Sequence, residues 1–165
     1  MTDRQQQARS LAQRIKAGYE DFNSWKLLGE GLYCQVWEVE GFAVKIRCDW
    51  QVDRYPFFAR FCRRHPELEH LPNIYYFGKL KKGRKSPYFV IMDIYQIGQV
   101  SGVDPYAIRL VAEGAIDKYL AHRLPASLWE TARSVYNYRK ESFSDLHPNN
   151  IMRRESCPII MDPWA

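Results

Sequence analysis

Residues 25–46 read WKLLGEGLYCQVWEVEGFAVKI. Short β-prone runs broken at Gly29, Gly31 and Gly41 predict three consecutive antiparallel strands. The first turn, Leu28-Gly29-Glu30-Gly31-Leu32-Tyr33-Cys34-Gln35-Val36, carries two glycines, and a backbone without Cβ atoms lets amide groups come close to a phosphate. Two glycines between strands are also what an ordinary hairpin uses, and the place of a third glycine is taken by Cys34. Lys45 lies inside the apolar run Phe42-Ala43-Val44-Lys45-Ile46. A lysine buried there is costly unless an anion pairs with it; the other reading is an edge-strand lysine reaching solvent.

Working outward, Asn73 to Phe77 and Pro87 to Tyr95 predict two further strands around a turn at Gly83, which makes five. Before them, residues 55–65 are a short helical candidate containing Pro56. At the N-terminus, Leu11, Ile15, Tyr19 and Phe22 recur at steps of three and four, and predict an amphipathic docking helix over residues 3–22. Asp104-Pro105 is a helix start, with an N-cap acid and proline at the first position, and Ile108, Val111, Ala112, Ala115, Ile116 and Tyr119 continue the helical spacing. A second helix is expected from Ala126 to about Arg139. Two extended runs, Asn150 to Met152 and Pro158 to Met161, then predict a hairpin. The expected class is α+β, with no internal repeat.

A chain of 165 residues suggests one domain or two small lobes sharing a cleft. Nearly half of it is hydrophobic, which excludes a disordered chain. No apolar run approaches membrane-spanning length and no secretory leader is visible, so a cytoplasmic protein with no membrane partner is expected. Cys34, Cys48, Cys62 and Cys157 show neither a Cys-x-x-Cys pair nor zinc-ligand spacing, and read as reduced structural thiols. The net charge of +5 decides nothing alone. Lys79 to Lys85 places five cations in seven residues; so short a run reads first as a solvated turn and second as a surface for an acidic partner, and does not predict a nucleic-acid interface.

The remaining constellation is Phe143-Ser144-Asp145-Leu146-His147-Pro148-Asn149-Asn150, with Asp162 twelve residues beyond Asn150. Phosphoryl transfer needs a group that orients the attacking hydroxyl and hard oxygen ligands that hold magnesium on the phosphates. Asp145 suits the first task and Asn150 with Asp162 the second, although each alone could equally cap a loop.

With the glycine turn, the strand lysine and this loop in that order, the chain resembles the protein-kinase-like superfamily, which includes aminoglycoside and choline kinases, and is most similar to small phage-encoded serine/threonine protein kinases. The resemblance spans residues 25–165. It implies a nucleotide site in which Gly29, Gly31 and Lys45 attend the phosphates, Val36 and Ala43 roof the adenine, and Met92, Asp93 and Tyr95 form the gatekeeper and hinge. It further implies Asp145 as the catalytic aspartate and Asn150 and Asp162 as the magnesium ligands. The implied organisation is an N-terminal helix (1–22), a five-stranded antiparallel small lobe (23–95) and a minimal, truncated helical large lobe (96–165). The implied activity is ATP- and magnesium-dependent phosphotransfer to serine or threonine of a protein, the chain itself or a host protein. Departures from the family pattern are Phe143-Ser144-Asp145, Asp162-Pro163-Trp164, and only three residues after Asp162. They keep open a catalytically inactive kinase-like protein that binds and inhibits a host factor. His147 keeps open a small-molecule kinase.

Overall fold

Five of the β-prone runs form one antiparallel sheet in the computed structural model of the protein: β1 (Lys26–Glu30), β2 (Cys34–Val39), β3 (Phe42–Arg47), β4 (Ile74–Lys79) and β5 (Tyr88–Met92), in the order β1-β2-β3-β5-β4. The structure describes residues 2–18, 20–31, 33–47, 54–80, 87–98, 100–114, 122–138, 146–147 and 150–163. It divides into two compact units, one of Met1–Val52 with Asn73–Ile94 and one of Asp53–Pro72 with Tyr95–Ala165.

In the first unit, alternation along β3 assigns its two faces. Phe42, Val44 and Ile46 pair with Val39, Trp37 and Gln35 on one side and, for Val44 and Ile46, with Ile91 and Phe89 on the other. Directly paired residues share a face of the sheet. That face is covered by helix α1 (Asp3–Ala17), whose Ala8, Leu11, Ala12 and Ile15 form a core with Trp25, Val39, Phe42, Val44, Ile46, Phe89 and Ile91. Leu11 is 0% exposed, and a leucine so buried contributes roughly 1.5–3 kcal/mol. The helix starts on a capping box, in which Thr2 Oγ1 accepts from the Gln5 amide at 3.3 Å and Gln5 Oε1 from the Thr2 amide at 3.0 Å.

The helix was expected to run to residue 22, and it stops at Ala17. Gly18 takes a left-handed conformation (φ 73°) and donates to the Ile15 and Arg14 carbonyls, the C-terminal cap that glycine alone adopts at no steric cost. Phe22 falls in a 3-10 turn and is 45% exposed, and Tyr19 lies outside the described residues. The helix grips the tight β2–β3 turn at two points: Arg14 pairs with Glu40 at 2.6 Å, and Arg4 donates to the Gly41 carbonyl at 2.6 Å. Glu40 (φ 50°) and Gly41 (φ 76°) both have positive φ, as a two-residue hairpin turn matched to strand twist requires.

The second unit combines helices α2 (Tyr55–Arg64), α3 (Pro105–Ala112) and α4 (Ala126–Tyr138) with a three-stranded antiparallel sheet, β6 (Gln96–Ile97), β7 (Ile151–Arg154) and β8 (Cys157–Ile160), in that order. The expected cap is present: Asp104 Oδ1 accepts from the Tyr106 amide at 2.9 Å, with proline in the first turn. Helix α3 ends earlier than its apolar spacing predicts, because Gly114 follows with φ 95°. Ala115, Ile116 and Tyr119 lie outside the described residues. Its core joins Ala107, Ile108, Val111, Leu128, Ala132, Leu146, Ile151 and Ile160.

His70, 4% exposed, ties this unit together. Its Nδ1 donates to the Pro158 carbonyl at 2.8 Å. A carbonyl can only accept, so Nδ1 carries a proton, and Nε2 lies 2.9 Å from Ser127 Oγ and 3.4 Å from Glu69 Oε1. The His70 carbonyl in turn accepts from the Ile160 amide at 2.9 Å. One residue thus links the first turn of α4 to β8.

Candidate functional site

The face of the first sheet opposite α1 follows from the same register. Gly29 pairs with Val36, Val36 with Lys45, Lys45 with Val90, and Val90 with Phe77, a single row across all five strands. Two residues along, Ala43 pairs with Met92. Gly29, Val36, Ala43, Lys45 and Met92, singled out separately in the sequence, therefore share one face of one sheet. Lys45 is half-buried, between Val44 and Ile46, which face the other way into the core.

Gly29 has no positive φ, and a Cβ built there meets nothing within 4 Å among the described residues. At Gly31 an added Cβ would make only an ordinary contact, 3.5 Å from Cys34 Sγ. Neither backbone strain nor packing within the described residues requires glycine at these two positions. The Gly31 amide bonds to the Cys34 carbonyl at 2.8 Å and closes the turn.

Asp93 plays a structural part besides any hinge role. Its carboxylate accepts from Asn73 Nδ2 and the Tyr75 hydroxyl, both at 2.9 Å, and pairs with Arg4 at 3.4 Å. Its amide donates to the Asn73 carbonyl at 3.3 Å. Tyr95 belongs to the second unit. Burial, and then the bond to Asp93, hold the Tyr75 phenol above its ordinary pKa.

In the second unit Asn150 and Asp162 lie side by side. Asn150 Nδ2 donates to the Asp162 carbonyl at 2.9 Å, and the Asn150 carbonyl accepts from the Met161 amide at 2.8 Å. Using Nδ2 as donor fixes which end of the amide faces Asp162. The antiparallel pairing of β7 with β8, Ile151 opposite Ile160, brings these two residues together across twelve positions of sequence. Leu146 lies in the core of this unit, and the Asn150 amide donates to the His147 carbonyl at 2.8 Å. Burial, and to a smaller extent the negative charge of Asp162, pushes the Cys62 thiol of α2 well above its ordinary pKa.

An amide oxygen and a carboxylate are hard donors suited to magnesium, which commonly takes one or two protein ligands and completes its shell with phosphate and water. Among the described residues no cluster of three or more His, Cys, Asp or Glu side chains could hold a metal by itself. Asp145 and most of the Lys79 to Lys85 run lie outside the described residues. Among the described residues no helix is long and apolar enough to cross a membrane.

Two features escaped the sequence reading. Arg47 stands two residues beyond Lys45 on the same face, opposite Cys34 and Tyr88, and strand alternation was the signal that could have found it. His70 had no such signal, because its partners lie 57 and 88 residues away. Scans of protein-family models and of curated proteins find no match to this chain.

Proposed function

We propose that the chain is a magnesium- and ATP-dependent phosphotransferase of the protein-kinase-like type, acting on serine or threonine of a protein, itself or a host protein. The observation that carries this reading is the shared sheet face: Gly29, Val36, Ala43, Lys45 and Met92 on one side, with α1 on the other. Val36, Ala43 and Met92, the last two only 5% and 2% exposed, make this face apolar as a base requires, and Lys45 supplies a cation for its phosphates. Glycine at 29 and 31, required by no strain or crowding among the described residues, has a reason if phosphate oxygens approach the backbone there.

Asn150 and Asp162 supply the oxygens that would hold magnesium, and a bound magnesium ion would offset charge on the transferred phosphate. Asp145, by its place in the motif, accepts or orients the acceptor hydroxyl. Positioning and electrostatic stabilisation would contribute most of the rate.

The reading is tested by titrating ATP, with and without magnesium, into wild type, Lys45→Met and Asp162→Asn. Binding that strengthens with magnesium in wild type, loses that dependence in Asp162→Asn, and weakens about tenfold or more in Lys45→Met is expected. Absence of ATP binding by folded wild-type protein would overturn it. Magnesium-dependent binding without transfer would point instead to the kinase-like binding protein.

A further inference from the structure

We propose that Arg47 is a second phosphate-binding cation beside Lys45, braced by Tyr33, and that it contacts the terminal phosphate of the bound triphosphate; this rests on the phosphotransferase reading above. On β3, Ala43, Lys45 and Arg47 alternate onto the face opposite α1. Successive members stand about 6.8 Å apart, two residues of extended strand.

Their order has a direction. Ala43 pairs with Met92, at the end assigned to the base, and Lys45 with Val36. Arg47 pairs with Cys34, whose carbonyl accepts the Gly31 amide at 2.8 Å. Arg47 therefore lies in the row that meets the glycine turn, one step beyond Lys45 and away from the base end. A nucleotide laid along this face with its base over Ala43 reaches Lys45 first and Arg47 last.

Tyr33, in that turn and 40% exposed, has its ring centroid 5.1 Å from the Arg47 guanidinium carbon. This is within cation–π range, and stacking engages the flat face of a guanidinium whose N–H donors lie in its plane. An arginine so braced loses less side-chain freedom when it meets a phosphate, and its planar fork fits phosphate oxygens in pairs. Arginine at this place thus adds discrimination by phosphate number that a point charge would make less well.

The test compares affinities for magnesium-ATP, magnesium-ADP and adenosine in wild type, Arg47→Met, Arg47→Lys and Tyr33→Leu, each checked for a native melting transition. Arg47→Met is expected to weaken ATP about tenfold, ADP less and adenosine not at all, the loss of one charge-assisted contact. Arg47→Lys should recover part of the ATP affinity, and Tyr33→Leu should show a smaller loss confined to ATP. If Arg47→Met does not fold, Tyr33→Leu carries the comparison. Unchanged ATP affinity, or equal weakening of ATP and adenosine, overturns the role of Arg47 while leaving the nucleotide site standing. Wild type that binds none of the three ligands removes the phosphotransferase reading, and this proposal with it.

Discussion

Replacing Gly29 by alanine separates the demands of the fold from those of a ligand. Gly29 lies in β1 opposite Val36, without positive φ, and the new methyl would meet nothing within 4 Å among the described residues. The substitution should therefore cost no packing energy. Glycine within a strand is less stable than alanine by roughly 0.5–1 kcal/mol. In a protein of this size 1 kcal/mol moves Tm by roughly 2–4 °C, so Gly29→Ala should melt about 1–4 °C above wild type. The same methyl would stand between the backbone and an approaching phosphate, and magnesium-ATP affinity should fall about tenfold, or ~1.4 kcal/mol. Calorimetric melting and ATP titration on the same preparations measure both. A Tm lowered by several degrees would show that the fold itself requires the glycine. A raised Tm with unchanged affinity would make residues 29–31 an ordinary hairpin turn.

Leu11→Ala should cost about 2–5 kcal/mol in chemical denaturation, because it opens a cavity where α1 meets the sheet; a loss below about 1 kcal/mol would mean the α1 contact is not what holds the sheet's covered face. Gly114→Ala should destabilise by about 1–3 kcal/mol, since φ is 95° and its Cβ would fall 2.5 Å from the Tyr136 ring; an unchanged Tm would contradict this. The Tyr75 phenol, held above its ordinary pKa, keeps its proton in the folded protein where the unfolded chain releases it. Its contribution is complete below about pH 10 and is lost as pH rises from there towards the folded value, so Tyr75→Phe should flatten the alkaline decline of Tm. An unaltered slope would refute that assignment. The Cys62 thiol, buried and held protonated, should resist alkylation in the native protein and react at once in denaturant; rapid native labelling would contradict its burial.

The strands of the first sheet were legible because each is short, β-prone and bounded by a turn residue. Their strict alternation also determines which residues share a face once the pairing is known. The start of α3 was legible for a local reason, the Asp104 cap followed by proline. Its end was not, because the apolar spacing continues past Gly114 and only the backbone shows that this glycine has a positive φ. The end of α1 was misread similarly: Tyr19 and Phe22 keep the helical spacing, yet Gly18 caps the helix before them. Strand β6 has two residues, and nothing in Gln96-Ile97 marks it; its pairing with Met152 and Arg153 creates it. Helix α2 was legible as a helix, but its grouping with the C-terminal half of the chain was not, since that depends on contacts remote in sequence. Of the candidate site, the turn glycines, Lys45, Asn150 and Asp162 were visible by residue type and order. Arg47 lacked a motif, and its relation to Tyr33 exists only in three dimensions.

Phosphate transfer itself is the most direct test. Purified protein incubated with magnesium and γ-labelled ATP, beside Asp145→Asn, would be followed by intact mass and peptide mapping. Magnesium-dependent phosphate is expected on serine or threonine in the wild type, of the chain or of an added protein acceptor, and is expected to be lost in the variant while ATP still binds. Equal incorporation by both proteins, or none by wild type that binds ATP and magnesium with acceptor protein present, would contradict this.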